Sequence, residues 1–291
     1  MQGVIIEIIA NKYIVKAGVN EYTSTVRGRL KTEEISPSVG DKVIIEIIDN
    51  SKKLATINQV LSRNNYTKRP KLANIDQMVF VVSSQDPKPD LLMLDKQIAF
   101  AEFIGIEVLI IFNKIDLDTN LEYKSIKDIY EKVGYKVIVT NAKEGLGVNE
   151  VISQLSGKIN AFSGNSGVGK STLINAIFKV QLTLEGEISK KNKKGKNTTT
   201  AIKLYEIDED TYIADTPGFS TLDISEIPSK ELYKYYIDFR SVVCDYASCT
   251  HIKEEECKIK EAVEDGEIDK NRYLRFKKIF EELAKKEEKR W

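Results

Sequence analysis

A glycine-rich segment places residues at a spacing that suits phosphate binding. Residues 164–171 read Gly-Asn-Ser-Gly-Val-Gly-Lys-Ser and match the pattern G-x-x-x-x-G-K-[ST] at every fixed position. Glycines let the backbone curl so that its N–H groups face phosphate oxygens, and a helix that begins there adds partial positive charge. We expect Lys170 to reach the β- and γ-phosphates and the Ser171 hydroxyl to coordinate Mg²⁺. The residues predicted to hold the phosphates are Gly164, Asn165, Ser166, Gly167, Val168, Gly169, Lys170, Ser171 and Thr172.

A second motif, at residues 113–116, predicts which base accompanies the phosphates. It reads Asn-Lys-Ile-Asp. The Asp116 carboxylate can accept from both the N1–H and the 2-amino group of guanine, a pair of donors that adenine lacks. Asn113 can bridge to the base and join neighbouring loops, and the aliphatic part of Lys114 can cover the purine. The motif also occurs by chance on protein surfaces, so it needs support from elsewhere in the chain.

That support comes from residues 140–143, Thr-Asn-Ala-Lys, which follow the next predicted strand. The segment resembles the loop whose backbone contacts the guanine oxygen in GTPases. We therefore expect Asn141 and Ala142 to contact the base, and the two segments together predict guanine rather than adenine.

Two further segments predict a response to the γ-phosphate. Residues 215–218, Asp-Thr-Pro-Gly, match D-x-x-G, in which Asp215 holds Mg²⁺ through water and the Gly218 N–H senses the γ-phosphate. Upstream, a segment rich in lysine and asparagine ends in three threonines, of which Thr199 is the predicted second Mg²⁺ ligand after Ser171. The lysines are equally consistent with a solvated loop, and both interpretations can hold because such loops order on nucleotide.

The order of these motifs is inverted relative to ordinary GTPases. The base-reading segment 113–116 precedes the phosphate segment 164–171, which indicates a circular permutation. The motifs can still converge because they all follow strands at one edge of the same sheet. The chain then passes from residues 215–218 directly into its C-terminal part, so that movement there could reposition the C-terminal domain.

All three cysteines and the single histidine fall within a short C-terminal stretch. Three thiolates and one imidazole satisfy tetrahedral Zn²⁺ in a closed structural site, and the predicted ligands are Cys244, Cys249, His251 and Cys257. One buried cysteine beside scattered polar residues is the alternative, and a redox pair is disfavoured because no C-x-x-C is present. Beyond the cluster, a charged helical segment is expected to form a solvated face or, alternatively, an RNA contact: Arg272, Arg275, Lys277 and Lys278.

The elements that must position these residues fall into three regions. Residues 4–9, 12–16, 22–26 and 43–48 are rich in Val, Ile, Thr and Tyr and are separated by turn residues, which predicts a small barrel of the oligonucleotide-binding (OB) type or another closed form. From residue 77 strands alternate with helices, which predicts βαβ units and a parallel sheet. The phosphate segment follows a predicted strand and opens a predicted helix, which disfavours a chance glycine turn. The chain from about residue 229 is helical and charged.

The predicted fold class is therefore multidomain: an N-terminal all-β OB-type barrel, a central α/β P-loop GTPase that is circularly permuted, and a C-terminal mainly helical zinc-binding domain. The predicted boundaries are 1–63 for the barrel, 64–73 for a polar and basic linker, 74–225 for the GTPase domain and 226–291 for the zinc-binding domain.

Composition and charge limit the classes of partner. The 291 residues are 42% hydrophobic, enough for packed cores, and no apolar run approaches the roughly 20 residues of a transmembrane helix. Three cysteines cannot form an even disulfide framework and the N-terminus lacks a basic start, so we expect a cytoplasmic protein without a signal peptide. Net charge is zero, but residues 1–73 hold 12 basic against 7 acidic residues, which is consistent with an RNA-facing module or with an ordinary solvated surface.

In this order the barrel, the permuted GTPase motifs and the Cys₃His cluster resemble the ribosome small-subunit-dependent GTPase A family of bacteria. The resemblance spans essentially the whole chain and rests on residues 74–77 (Asn-Ile-Asp-Gln), 113–116, 164–171, 198–200, 215–218 and the zinc spacing. It implies a protein that binds GTP and GDP with Mg²⁺ and carries structural zinc. The implied partners are the small ribosomal subunit and its rRNA, and no membrane is expected as a partner. It also implies a role late in maturation of that subunit, with hydrolysis stimulated by the subunit. We further expect a monomer.

One departure bears on catalysis. The family usually carries histidine just before the switch threonines, where this chain has Asn197, and Phe219 occupies the place of the water-orienting glutamine of Ras-like GTPases. Asn197 can orient water but cannot act as a base, which predicts slow intrinsic turnover. The predicted catalytic residues are Lys170, Ser171, Asn197, Thr199, Asp215 and Gly218.

The rival interpretations are a nucleotide-gated RNA-binding protein with little hydrolysis, a P-loop ATPase or kinase, and a catalytic zinc domain.

Overall fold

A computed structural model describes residues 1–27, 36–185, 202–215, 223–246 and 248–289. The chain divides into two compact units. The first consists of Met1–Val79, Ala142–Gly164 and Lys170–Ser220, and the second of Phe80–Asn141, Asn165–Gly169 and Thr221–Trp291.

The first unit begins with a closed five-stranded barrel in the order β1-β2-β3-β5-β4, in which β1 also pairs with β4. Its strands are β1 (Gln2–Ile9), β2 (Lys12–Ala17), β3 (Asn20–Val26), β4 (Lys42–Asp49) and β5 (Leu54–Val60). Alternate residues face inward, and Ile5, Val15, Val43 and Ile57 are fully buried. Burying each such side chain contributes about 1.5–3 kcal/mol before the entropy of ordering is counted. The strand β5, which closes the barrel, is additional to the four that the sequence predicts.

The segment 64–73, predicted as a linker, contains a hairpin of β6 (Tyr66–Lys68) and β7 (Lys71–Ala73). Leu72 is fully buried and forms a bridge to Val39 of the barrel region. Gly40 approaches the hairpin so closely that a Cβ on it would lie 2.1 Å from the Ala73 carbonyl oxygen. The polar composition therefore hides two buried apolar residues, Leu72 and Ala73, which attach the hairpin to the barrel.

The α/β region is a six-stranded sheet in the order β10-β9-β8-β11-β13-β12. Its strands are β8 (Gln77–Ser83), β9 (Glu107–Asn113), β10 (Lys136–Thr140), β11 (Ile159–Ser163), β12 (Leu204–Asp208) and β13 (Thr211–Asp215). Its helices are α1 (Leu91–Phe103), α2 (Glu122–Val133), α3 (Val148–Leu155) and α4 (Lys170–Glu185). Every residue of β8 is buried, as expected for a strand covered on both faces.

One strand of the sheet runs antiparallel to its neighbour, an orientation on which the sequence pattern is silent. β10 pairs in parallel with β9, and β11 with β13, but β12 runs antiparallel to β13. Only residues 209 and 210 separate the two strands, and Asp210 has a left-handed backbone with φ of 58°. A parallel connection needs a crossover of a dozen or more residues, so this short turn requires a hairpin.

The C-terminal part contains a 3₁₀ segment (Ser229–Tyr235) and the helices α5 (Ile237–Arg240), α6 (Lys258–Glu264) and α7 (Lys270–Glu288). The Asp269 side chain accepts from the Arg272 N–H and caps α7. The apolar face of α7 buries Tyr273, Phe276 and Ile279, spaced three residues apart. None of the helices in the described ranges is long and apolar enough to cross a membrane.

Candidate guanine-nucleotide site and metal centre

The phosphate segment lies between the end of β11 at Ser163 and the start of α4 at Lys170. Gly167 and Gly169 adopt left-handed backbones, with φ of 83° and 89°. A Cβ on Gly169 would lie 2.3 Å from the Asn113 amide nitrogen, so glycine is required there both by conformation and by space. Val168 is buried and anchors the loop, whereas Ser166 and Gly167 are exposed.

The predicted ligands on α4 lie at its first turn. Lys170 is partly exposed, and Ser171 and Thr172 are exposed. Asp215 ends β13 and pairs in register with Phe162, one residue before β11 ends. The strand that leads into the phosphate segment is thus the neighbour of the strand that carries Asp215. Ser171 carries a hydroxyl and Asp215 a carboxylate, and these are the kinds of oxygen donor that Mg²⁺ takes beside nucleotide phosphates. Asn197, Thr199 and Gly218 lie outside the described residues.

Asn113 links three segments of the site. Its side chain is buried, its Nδ2 donates to the Val168 carbonyl oxygen at 3.0 Å, and its Oδ1 accepts from the Thr140 hydroxyl at 2.9 Å. Thr140 also pairs with Asn113 in the parallel register of β10 and β9. One amide therefore holds the end of β9, the phosphate segment and the end of β10 together, as the sequence suggests for this asparagine.

The rest of the base-reading segment is held from the side of β8. The Ser84 hydroxyl donates to the Lys114 carbonyl oxygen at 2.7 Å, and the Ser84 N–H donates to that of Asn113 at 2.9 Å. Lys114 has a left-handed backbone and donates from Nζ to the Asp86 carbonyl oxygen at 2.7 Å. Sequence reasoning missed Ser84 and Asp86, although their position directly after a buried strand was the available signal.

The side chain that should read the base is accessible. Asp116 lies in a 3₁₀ turn (Ile115–Leu117) and is exposed, so its carboxylate is open to a base arriving from solvent. Asn141 and Ala142, directly after β10, are both buried, so contact with a base would come from their backbone rather than their side chains. The base-reading segment is thus a surface loop between rigid strands and helices, which is where binding residues commonly lie.

The four predicted zinc ligands converge in the second unit. Their donor atoms all lie within 4.8 Å of one another. The Cys257 sulfur is 3.8 Å from the sulfurs of Cys244 and Cys249, and the His251 Nδ1 lies 3.3–3.5 Å from all three sulfurs. Zn–S bonds of about 2.3 Å in a tetrahedron put two sulfurs about 3.8 Å apart, so the cluster fits zinc without rearrangement.

Burial sets the protonation of these ligands. Burial raises the pKa of the Cys249 thiol to about 12, so a thiolate there requires a cation beside it. Burial also lowers the pKa of His251, and the neutral imidazole is the form that binds metal. The Tyr273 hydroxyl donates to the His251 carbonyl oxygen at 2.8 Å, which fixes the backbone of this ligand.

Glu254 organises the loop between the ligands. It accepts from the Thr250 N–H at 2.8 Å and from the Ile252 N–H at 3.0 Å. Burial alone would raise the pKa of Glu254, but these hydrogen bonds outweigh it and lower the pKa to about 2. The carboxylate therefore stays ionised and keeps the ligand loop in shape, a supporting role that sequence reasoning did not assign.

Comparison with known proteins decides the family. The chain matches the RsgA N-terminal domain over residues 2–55 and the RsgA GTPase over residues 56–225. The chain belongs to the RsgA GTPase family. A small ribosomal subunit biogenesis GTPase RsgA from Ruminiclostridium cellulolyticum is 39% identical over 97% of this chain and 93% of its own. Another from Caldanaerobacter subterraneus subsp. tengcongensis is 36% identical over 100% and 98%.

Two solved structures agree with the fold. YjeQ from Thermotoga maritima superposes with a TM-score of 0.86 at 33% identity, covering 97% of this chain and 98% of that one. YloQ, described as a circularly permuted GTPase, gives a TM-score of 0.83 at 29% identity, covering 98% and 95%. The predicted fold class, with its barrel, permuted GTPase and C-terminal helices bearing a Cys/His cluster, is confirmed. The chain is a GTPase of ribosome biogenesis.

Proposed function

We propose that this chain is a Mg²⁺-dependent GTP hydrolase that binds the small ribosomal subunit through rRNA and acts in its late maturation, with hydrolysis stimulated by the subunit. The curated relatives carry that subunit in their names. We also propose the division into a barrel (1–63), a linker (64–73), a GTPase domain (74–225) and a zinc-binding domain (226–291).

The observation that carries the proposal is the buried Asn113 amide, which joins the base-reading and phosphate segments. A nucleotide contacts those two segments with its two ends, so their fixed spacing preorganises binding. Asp116 is exposed and accepts from guanine N1–H and the 2-amino group. Adenine offers no such donor pair, which favours guanine over the ATPase or kinase alternative.

Hydrolysis then depends on positioning and charge. Phosphoryl transfer passes through a loose transition state in which the enzyme mainly neutralises charge and aligns the attacking water. Lys170 and the backbone N–H groups of residues 165–170 stabilise the negative charge that develops on the β- and γ-phosphates. Ser171, Thr199 and Asp215 would hold Mg²⁺, which would neutralise negative charge on the nucleotide phosphates. Gly218 is proposed to sense the γ-phosphate through its N–H.

The chain lacks the usual residues that position the attacking water. Asn197 and Phe219 stand where related enzymes place histidine or glutamine. An amide can hold water by hydrogen bonds but cannot accept its proton near neutral pH. We infer slow turnover alone and faster turnover when the small subunit supplies or orders the missing groups.

The remaining regions are assigned to binding and cohesion. Residues 1–73, the barrel together with the linker, hold 12 basic against 7 acidic residues, an excess that attracts RNA phosphates without sequence preference. The Cys₃His cluster is proposed to hold structural zinc, because four protein donors leave no position for a reactive water. A monomeric protein that acts in the cytoplasm, where small subunits mature, fits this assignment.

The experiment measures GTP turnover by purified protein, alone and with isolated small ribosomal subunits at fixed salt. We expect stimulation by the subunit in the wild type and none in a Lys170→Ala control. Fast turnover without subunits would contradict the role assigned to Asn197.

The second candidate is a nucleotide-gated RNA-binding protein with little hydrolysis, which Asn197 and Phe219 favour. Subunit binding that depends on GTP, measured by co-sedimentation, without multiple-turnover phosphate release would establish it. Failure to bind the subunit with any nucleotide would contradict both candidates.

A further inference from the structure

A buried ionic cluster connects the C-terminal helix α7 to the GTPase helices α1 and α2. Asp95 on α1 has no exposed side-chain surface. Its Oδ1 accepts from Arg272 Nη1 and from the Tyr130 hydroxyl, the latter at 2.8 Å, and its Oδ2 accepts from Arg275 Nε at 2.5 Å. Burial raises the pKa of Tyr130, so its hydroxyl stays protonated and donates. The charged helical face expected at Arg272 and Arg275 is therefore wrong for these two residues.

Arg272 is the centre of the cluster. Its side chain is 1% exposed, and its Nε donates to Asp238 Oδ2 at 2.9 Å. The guanidinium also lies against the rings of Tyr236 and Tyr130, at 4.6 and 5.4 Å from their centroids. Burial by itself would lower the pKa of Arg272, but Asp95 and Asp238 raise it, so the side chain stays charged. One arginine thus contacts α1, α2 and α5 at once.

The two GTPase helices in this cluster flank the base-reading segment. α1 precedes β9 and α2 follows residues 113–116. On the α1 side, Asp86 accepts from Lys114 Nζ four residues before Asp90, which caps the helix by accepting from the Met93 N–H at 3.0 Å. On the α2 side, Asp118 accepts from the Tyr123 N–H at 2.8 Å. The chain on either side of the base-reading segment therefore leads to α1 and α2, which are joined by the hydrogen bond from Tyr130 to Asp95.

Energetics indicate what the cluster contributes. Removing two arginines and two aspartates from water costs several kcal/mol for each ion, and well-packed apolar residues are often at least as stabilising. Apolar packing is not directional, whereas each hydrogen bond donated by a guanidinium N–H fixes an angle as well as a distance. A cluster of this kind is best explained by a requirement for one orientation of α1 and α2.

We propose that Arg272, together with Asp95 and Tyr130, positions the base-reading segment, so that the C-terminal domain contributes to the selection of guanine. The role proposed for Arg272 is indirect: it acts through α1 and α2 and not by contact with the base or the phosphates. The inference rests on the proposed function, because it assigns a structural support to the guanine site described there.

The test compares binding of GTP and of inosine triphosphate, whose base lacks the 2-amino group. Each hydrogen bond to a charged acceptor contributes about 1.5–3 kcal/mol, so the wild type should prefer GTP by roughly 10- to 100-fold. Arg272→Met should reduce this preference at least threefold. Partial unfolding would lower both affinities by the same factor and leave their ratio unchanged, so the ratio separates positioning from loss of fold.

Two further variants complete the design. Tyr130→Phe keeps the ring and removes only the hydroxyl that donates to Asp95, so it should fold and reduce the preference in the same direction by less. Glu282→Gln removes the ion pair that Glu282 of α7 forms with Lys96 of α1 at a partly exposed position, and should leave the preference unchanged.

The outcomes are distinguishable. A wild type without preference for GTP would overturn the proposed guanine site itself. A wild type that prefers GTP, with folded Arg272→Met and Tyr130→Phe variants of unchanged preference, would overturn only the positioning role of Arg272. An equal loss of preference in Glu282→Gln would also overturn it, because any contact between α1 and α7 would then suffice.

Discussion

The base-reading segment proposed for guanine and the Cys/His cluster proposed for zinc lie in the same compact unit but differ in exposure to solvent. Asp116 is exposed, whereas Cys249, His251 and Cys257 are buried. In the proposed function the Asp116 carboxylate meets a diffusing base and needs access to solvent, whereas the thiolates hold a structural metal and need protection from it. In the proposed function, nucleotide exchange and cohesion of the fold therefore depend on different groups of residues.

The supports of the two sites differ in the same sense. Asn113 holds the nucleotide site by bonds to segments distant in the sequence, to Val168 and Thr140. Glu254 holds the metal loop by bonds to residues within four positions of itself. Changes in distant segments should therefore affect the nucleotide site through Asn113. The loop held by Glu254 should respond mainly to changes within itself, apart from the bond of the Tyr273 hydroxyl to the His251 carbonyl oxygen.

Removal of the metal should have the largest effect of the changes considered. A small effect would contradict the structural role proposed for the Cys/His cluster. Cys257→Ser leaves three ligands, and structural zinc supplies on the order of 10 kcal/mol of folding free energy in small zinc domains. We expect loss of bound zinc and loss of hydrogen-exchange protection in α6, with protection of the barrel strands retained. Full protection of α6 in metal-free protein would show that zinc does not hold this region.

Changes to the metal loop should have the next largest effect. Glu254→Ala leaves the N–H groups of Thr250 and Ile252 without their acceptor, which should lower the free energy of unfolding by about 1–3 kcal/mol. The matched control is Glu261→Ala, which removes only an exposed pair with Lys258 and should have no measurable effect. Equal thermal stabilities of the two variants would contradict the role given to Glu254.

The nucleotide site can be tested by a pair of glycines. Gly169→Ala introduces a Cβ 2.3 Å from the Asn113 amide nitrogen, whereas Gly145→Ala has a similar left-handed φ of 83° and no atom within 4 Å. Both should lose stability from the backbone conformation, but only Gly169→Ala should displace Asn113 and weaken GDP binding, by about tenfold or 1.4 kcal/mol. Calorimetric titration checks this, and equal affinities would contradict the link through Asn113.

Short motifs were the part of the molecule most accessible to sequence reasoning. The phosphate segment, the base-reading segment and the Cys/His cluster each consist of residues close in the chain, with types that few other roles require. The same reasoning missed β5, although it carries the buried Ala55 and Ile57, and it missed the hairpin of β6 and β7, whose polar residues hide the buried Leu72.

The ionic cluster shows the second limit. Arg272 and Asp95 are 177 positions apart, and an arginine on a charged helix is expected in solvent until its partner is known. Periodicity places Arg272 on the helix but carries no information on which distant carboxylate covers it. Contacts of this kind are decided by tertiary packing, so they could not be predicted from local pattern.

The most direct test of the guanine-specific GTPase is phosphate release from GTP and from xanthosine triphosphate, with small ribosomal subunits present, by the wild type and Asp116→Asn. In the variant an amide N–H faces the C2 carbonyl of xanthine, so we expect the preference for GTP to reverse to a preference for xanthosine triphosphate. Unchanged GTP hydrolysis by Asp116→Asn, with no gain for xanthosine triphosphate, would contradict the assignment of Asp116 and with it the guanine site.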